Sequence, residues 1–475
     1  MTQLCATTLD QSGVPIPHYD RQILAPGIVH FGLSNFARAH LARYAHALLE
    51  SGFEPMWGIC GIGTTHFDVR LRDALHMQDN LYSLTEKHRD GRVNSQIIGS
   101  VTDYLLVHED EKRIIELLCS PATRIVSLTI TEGAYAISSD NQAGRRVFEI
   151  IVAALRRRME NGAEAFTIMS CDNIQSNGEV ARAAVLEVAA DEPLLQAWIA
   201  CKVAFPNSMV DRITPKTTTQ DEQVAAGAVG LEDSAPVVCE PFSQWVLEDR
   251  FSNGRPPFEQ CDVQLVNDVI PYELMKIRLL NCSHQAIAYT GALFGYQYAH
   301  EAISDSTLAE FVRRYMSEAV ASLSPVPGID LDEYRETLIS RFGNAQIKDT
   351  LGRLCEDTSS RSGQWILPLI EENLDAGRSV RWSTWIIASW ARYAEGIDER
   401  GGTFDVVDPL AAELLPLAAR NSEDPRAFLE HPLFDRLRSR PEFVDEFQTA
   451  LVAIREVGCA SALRQALAHS QTRPL

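Results

Sequence analysis

Gly27-Ile28-Val29-His30-Phe31-Gly32 is a short apolar run closed by glycine. Directly after it, Phe36, Leu41, Tyr44, Leu48 and Leu49 recur at helical spacing as far as Glu50, and Met56-Trp57-Gly58-Ile59-Cys60 opens a second β-type run that ends in Gly61-Ile62-Gly63. Strand, glycine turn, helix, strand is a βαβ unit, and its crossover helix makes the two strands parallel. Two further runs, Arg124–Thr131 and Ala165–Ser170, flank a helical stretch of about Arg145–Asn161, while Ala204-Phe205-Pro206-Asn207 and Val237-Val238-Cys239 offer additional edges. This alternation lasts to about residue 265 and predicts an α/β domain built on a doubly wound sheet of Rossmann type.

From Pro271 onward the period changes. Apolar residues recur at helical spacing, as in Leu308, Phe311, Val312 and Tyr315, and turns such as Pro325-Val326-Pro327-Gly328 and Gly401-Gly402 separate the helices. A chain of 475 residues is also too long for one hydrophobic core. The expectation is therefore two domains, 1–268 with the Rossmann-type sheet and 269–475 mainly α-helical.

The net charge of −21 argues against a nucleic-acid partner, since phosphate backbones are held by clustered Lys and Arg, and against anionic membrane surfaces. No stretch approaches the roughly 20 apolar residues of a membrane-spanning helix, and Met1–Asp20 has neither a basic start nor an apolar run. A cytoplasmic protein without a membrane partner is expected. None of the ten cysteines forms a C-x-x-C pair or stands at metal-ligand spacing from a histidine, which reads as reduced, buried thiols and no metal site.

Two segments carry chemistry. The first is Gly32-Leu33-Ser34-Asn35-Phe36-Ala37, where a dinucleotide-binding turn has G-x-G-x-x-G so that pyrophosphate approaches the N–H groups at a helix start. Only the first glycine is present; Ser34 and Ala37 hold the other positions. A serine N–H still donates to phosphate, and the alternative is an ordinary turn in which Ser34 or Asn35 caps a helix. An acid that binds the adenosine ribose belongs after the second strand. Asp68 is the first acidic residue beyond Gly63, and it suits either the ribose or the first turn of the next helix.

The second segment is Tyr272-Glu273-Leu274-Met275-Lys276-Ile277-Arg278-Leu279-Leu280-Asn281-Cys282-Ser283-His284. With Lys276 at zero on an α-helix, Glu273 falls at about 60°, His284 at about 80° and Asn281 at about 140°. Apolar residues occupy most other directions, so the lysine is expected to be buried. Desolvation lowers a lysine pKa toward neutrality, where the amine serves as a general base. The bland alternative is a Lys276–Glu273 ion pair beside a core histidine.

The pattern K-x-x-x-x-N-x-x-H within P-Y-E-x-M-K-I-x-L-L-N-x-S-H resembles the polyol-specific long-chain dehydrogenases. Thr129-Ile130-Thr131-Glu132-Gly133, Ser170-Cys171-Asp172-Asn173 with Asn177-Gly178, Phe205–Pro215 and Cys239–Asp249 are similar to the same family, from about residue 26 to 455. The resemblance implies NAD-dependent, metal-independent oxidation of a sugar alcohol to a ketose (mannitol, D-arabinitol or sorbitol), with NADP left open and a monomer expected. Lys276 is implied as the base. Asn281 and Asn173 are implied at the reacting oxygen, His284 on a substrate hydroxyl, and Glu273 in proton relay. Gly32, Ser34, Asn35, Phe36, Val210 and Asp211 are implied at the cofactor, where Asp68 stands as the candidate from its position after the second strand. Arg353 and Arg361 fall where the family has basic substrate contacts, with surface ion pairing the alternative. Ser34 departs from the family's second glycine. Two other readings stay open: a hexuronate or sugar-phosphate oxidoreductase of the same superfamily, and a non-catalytic sugar sensor.

Overall fold

The computed structural model describes residues 2–137, 142–403 and 405–470. The chain forms two compact units, Met1–Ile270 and Pro271–Leu475. Among the described residues no helix is long and apolar enough to cross a membrane.

The strands of the first unit are β1 (Ile28–Phe31), β2 (Ile59–Gly63), β3 (Tyr82–Lys87), β4 (Val93–Ile98), β5 (Val101–Leu106), β6 (Ile125–Leu128), β7 (Thr167–Ser170), β8 (Ser208–Asp211), β9 (Val237–Cys239), β10 (Gln244–Glu248) and β11 (Gln264–Val266). Five of them pair in the order β5-β2-β1-β6-β7, all parallel. Counted among themselves they run 3-2-1-4-5, the winding of dinucleotide-binding sheets, and the winding reverses between β1 and β6.

Successive residues of β1 feed two cores. Ile28 joins Ile59, Ile125 and Met169 on the side of the helix Leu41–Glu50. Val29 and Phe31 join Cys60, Ile62, Val126, Leu128 and Ile168 on the side of the helices Val107–Cys119 and Gln142–Glu160. Strands alternate their side chains between faces, so a strand apolar at every position is covered by helices on both sides.

The structure moves several expected elements. The second strand lies at Ile59–Gly63, three residues later than its apolar run, so Gly61 and Gly63 are strand residues and not the turn. A Cβ at Gly61 would lie 2.4 Å from the Leu33 side chain, and one at Gly63 would lie 2.6 Å from Asp68 Cβ. Close approach by neighbouring segments, not chain reversal, requires both glycines. The helix expected over 36–50 breaks at His40 (φ −113°, ψ −87°) into Asn35–Ala39 and Leu41–Glu50. The edge expected at Ala204–Asn207 is replaced by β8, which pairs with β10 antiparallel in a separate sheet β11-β10-β8. A third small sheet, β4-β3-β9, places Val237–Cys239 beside β3.

The second unit is built of helices. Asp305 accepts the N–H groups of Thr307 (2.8 Å) and Leu308 (3.2 Å) to start Ser306–Val320, and Asp330 starts Leu331–Phe342 in the same way. A helix that begins at Ile270–Met275 continues to Phe294 and is buried from Cys282 to Leu293 except at His284. It packs against Ser306–Val320, Leu351–Cys355 and Arg381–Tyr393.

Candidate active site

In the first unit Gly32–Phe36, Asp68 and Asn173 follow the C-terminal ends of β1, β2 and β7 of the parallel sheet, whereas Val210 and Asp211 end β8 of a separate one. Gly32 leaves β1 with φ +85°, and a Cβ there would lie 2.1 Å from the Thr129 carbonyl oxygen, so this position requires glycine. Its carbonyl accepts the Ser34 N–H (2.6 Å) and the Thr129 hydroxyl (2.8 Å). Ser34 has extended backbone (φ −94°, ψ −167°), which any residue adopts, so serine costs no strain where the family's pattern has its second glycine. Ser34 precedes the helix Asn35–Ala39, but its hydroxyl makes no capping bond. The Asn35 side chain accepts from Arg38 (2.7 Å) and donates to Thr217 (3.2 Å).

The rest of this motif is scaffold. Phe36 stacks on His40 with ring centroids 5.2 Å apart. Arg38 is buried, donates to the Ala235 carbonyl and lies 5.1 Å over the Tyr82 ring. His40 is fully buried against Tyr44 and Trp245, bonds the Gln244 carbonyl (3.2 Å), and is pushed down to about 3 by burial. His30, beneath the turn in β1, bridges the hydroxyls of Ser127 (2.7 Å) and Thr129 (2.9 Å) and is likewise pushed down to about 3 by burial.

Asp68 lies in the segment after β2. Its Oδ2 accepts the N–H groups of Thr64 (2.9 Å) and Thr65 (2.8 Å) and the Thr65 hydroxyl (3.0 Å), all on the one oxygen. It ends the 3-10 turn His66–Asp68 ahead of the helix Val69–Met77. Val210 and Asp211, both buried, end β8, where Val210 faces Trp245 in register.

Asn173 follows a residue that the motif reading passed over. Asp172 is buried, and its carboxylate accepts the N–H groups of Ile130 (3.0 Å) and Thr131 (2.9 Å) and the Tyr135 hydroxyl (2.6 Å). Burial pushes its carboxyl up, against those hydrogen bonds, which favour the charged form. Asn177 ties the same edge together: its Nδ2 donates to the carbonyls of Asp172 (3.0 Å) and Ser208 (2.8 Å), and its Oδ1 accepts the Ser208 N–H (3.0 Å). These residues stand inside the quoted motifs, but apart from the Asn177–Asp172 bond their partners are some 30 to 40 positions away in sequence, so spacing gave no sign of them.

In the second unit, Lys276–Asn281 is a π-helical segment inserted between Ile270–Met275 and Cys282–Phe294. The Cys282 N–H reaches back five residues to Ile277 O. In that register the hydrogen-bonded turn closes on residue i+5 in place of i+4. The separation of about 140° expected for Lys276 and Asn281 on an α-helix is therefore narrowed, and the two share one side of the helix. Glu273, Lys276 and Asn281 are buried, at 4%, 8% and 4% exposure, and His284 is half-buried with its ring 4.8 Å from that of Phe342.

The segment is braced from behind. Arg278 donates to the Ser322 carbonyl (2.8 Å) and hydroxyl (2.7 Å) and pairs with Glu372, and the fully buried Tyr315 donates to the Arg278 carbonyl at 2.6 Å. Arg353 makes a two-point ion pair with Asp349 (2.6 and 2.5 Å), and the Arg361 guanidinium lies 5.9 Å over the Trp365 ring.

A parallel sheet wound 3-2-1-4-5, with a glycine turn leaving its central strand, defines the dinucleotide-binding class of α/β proteins. Residues 26–260 match the mannitol dehydrogenase Rossmann domain and residues 268–455 the mannitol dehydrogenase C-terminal domain. Mannitol 2-dehydrogenase of Phaeosphaeria nodorum is 42% identical over 95% of this chain and 83% of its own length. Mannitol 2-dehydrogenase of Aspergillus terreus is 40% identical over 96% of each. Among solved structures, Pseudomonas fluorescens mannitol 2-dehydrogenase in ternary complex with NAD and D-mannitol superimposes with a TM-score of 0.90, at 39% identity over 98% of this chain and 99% of that one. A D-sorbitol dehydrogenase in substrate-free form gives 0.88 at 37% identity, over 97% and 100%. The chain belongs to the mannitol dehydrogenase family.

Proposed function

We propose that this chain is a polyol dehydrogenase that oxidises mannitol or a close analogue such as sorbitol or D-arabinitol to the ketose, with NAD as the cofactor and no metal. The observation that supports the reading is the π turn, whose register draws Asn281 toward the side of a buried Lys276, in a member of the mannitol dehydrogenase family.

Oxidising a secondary alcohol removes a proton from oxygen and a hydride from carbon. Lys276, neutral when desolvated, takes the hydroxyl proton. Asn281 and Asn173 donate N–H groups to the oxygen as its charge grows. His284 holds a neighbouring hydroxyl, and Glu273, one turn before the base, passes the proton outward. Arg353 and Arg361 are assigned to the outer part of the substrate. In the turn Gly32, Ser34, Asn35 and Phe36, the N–H groups of Gly32 and Ser34 are bonded to the carbonyls of Ile62 and Gly32. Those of Asn35 and Phe36 at the helix start therefore suit a pyrophosphate, Asp68 a ribose hydroxyl, and Val210 and Asp211 the nicotinamide end. Bound there, the nicotinamide supplies the hydride acceptor. A carboxylate at Asp68 disfavours the extra phosphate of NADP by repulsion.

Residues 1–268 are assigned to the cofactor and 269–475 to substrate and catalysis. The ten free thiols, seven of them buried, support a reducing, cytoplasmic location, and a monomer is the expected state. Arg353 bears on the uronate alternative, because its two-point pairing with Asp349 reduces the positive charge offered to a substrate carboxylate. The test is NADH formation with mannitol, sorbitol and D-arabinitol beside a hexuronate and a sugar phosphate. Turnover of a neutral polyol supports the reading. Activity confined to the anionic substrates, or to none, overturns it.

A further inference from the structure

The sheet reverses its winding between β1 and β6, so the loops leaving those two strands wall the crevice in which sheets of this type hold their ligands. The wall after β6 contains Thr131 at φ +72°, ψ 155°. That region is essentially confined to glycine, and a β-branched side chain makes it more strained still. Such a conformation persists only where its surroundings impose it.

One carboxylate grips this segment at three points. Asp172, at the end of β7, accepts two consecutive peptide N–H groups, Ile130 on Oδ2 (3.0 Å) and Thr131 on Oδ1 (2.9 Å). Tyr135, at the far end of the 3-10 turn Glu132–Tyr135, places its hydroxyl on the same Oδ2 (2.6 Å) and against Ser170 Oγ (2.7 Å). The Asp172 carbonyl is held by Asn177 Nδ2 (3.0 Å). Across the crevice, the Thr129 hydroxyl donates to the Gly32 carbonyl (2.8 Å), which joins the β6 loop to the glycine turn. One chain of hydrogen bonds thus links the loops after β1, β6 and β7.

We propose that Asp172 is a positioning residue of the dehydrogenase: its carboxylate holds the Thr131 peptide in its strained setting, which shapes the crevice for the cofactor, while its main chain presents Asn173. The inference rests on the dehydrogenase reading above. An asparagine at 172 exchanges one acceptor oxygen for an N–H donor, so one of the two gripped peptides loses its partner and meets a donor instead. Thr131 then has reason to relax.

The experiment compares the unaltered chain with Asp172→Asn, Thr131→Gly and the double variant, measuring kcat/KM with mannitol and NAD, KM for NAD, and NADH affinity by fluorescence titration. Asp172→Asn is expected to lower kcat/KM by about 10- to 100-fold, in line with the strain released. Glycine adopts the Thr131 conformation without strain, so Thr131→Gly in the Asp172→Asn background is expected to recover at least about 5-fold. A residue that merely stabilised the unit would not be rescued by backbone freedom at another position. An Asp172→Asn enzyme within about 2-fold of the unaltered chain, or a double variant no better than the single, overturns the proposal. If Asp172→Asn yields no folded protein, Tyr135→Phe with and without Thr131→Gly decides it by the same fall and recovery, expected at about 10- to 100-fold for loss of one hydrogen bond to a charged group. An unaltered chain that oxidises no polyol defeats the dehydrogenase reading alone; NADH affinity across the same variants still tests the positioning role.

Discussion

Lowering the pH from 7 to 5 should weaken the fold through histidines that the structure keeps neutral. His30 and His40 are fully buried and pushed down to about 3, and His46, 6% exposed, is pushed down to about 4, in each case chiefly by burial. In the unfolded chain each titrates near 6.5. Their folded pKa values are depressed, so the stability they confer is present above pH 6.5 and is lost as the pH falls toward 3 or 4. Between pH 7 and pH 5 the unfolded chain takes up nearly one proton per histidine that the folded chain refuses. Integrating over that interval gives about 2 kcal/mol for each residue.

His40→Phe isolates one of the three. It keeps an aromatic ring against Phe36, Tyr44 and Trp245 and gives up the contact with the Gln244 carbonyl. Urea unfolding at both pH values, followed by tryptophan fluorescence, measures the loss. The carboxyls of Asp172 and Glu318, which burial raises and which act in the opposite sense, are common to both proteins and cancel. The variant is expected to lose about 2 kcal/mol less than the unaltered chain on going from pH 7 to 5. An identical loss would mean that His40 is protonated in the folded state, which would refute the linkage.

Lys276→Met should lower turnover by at least about 100-fold while NADH affinity stays close to normal, measured by steady-state kinetics and fluorescence titration; normal turnover would remove the base assignment. Gly32→Ala, which drives a Cβ to 2.1 Å from the Thr129 carbonyl at a φ of +85°, should abolish NADH binding or folding, as seen by titration and circular dichroism. Tyr315→Phe withdraws the donor from the Arg278 carbonyl and should lower thermal stability by about 1 to 2 kcal/mol and kcat more than KM, if the π segment positions the base. Dialysis against a chelator should leave activity unchanged, and inactivation restored by a divalent metal would contradict metal-free chemistry.

The parallel sheet was legible because a strand covered on both faces is apolar at consecutive positions, as Ile28-Val29 and Ile125-Val126 are. β3 and β4 were not legible: Tyr82–Lys87 and Val93–Ile98 are half polar, and the hairpin exists because they pair with each other, not because either run is buried throughout. β5 was hidden by Thr102 and Asp103, two polar residues inside a strand. At the site, the residue types and the five-residue interval between Lys276 and Asn281 were in plain view, but their alignment was not. Lys-Ile-Arg-Leu-Leu-Asn has an ordinary helical composition, and an α-helical projection sets the two apart. The Arg353–Asp349 pair stands four positions apart, but Asp349 precedes the helix Leu351–Cys355, so helical spacing gave no sign of it.

A π turn holds one more residue than the α-helix around it needs. Taking out one residue between Ile277 and Leu280 would let the backbone close into a regular α-helix with the lysine and asparagine four positions apart, about 40° around the axis and still on one face. The extra residue thus lets a five-residue interval serve where four would on an unbroken helix, and the cylinder stays continuous on either side of it.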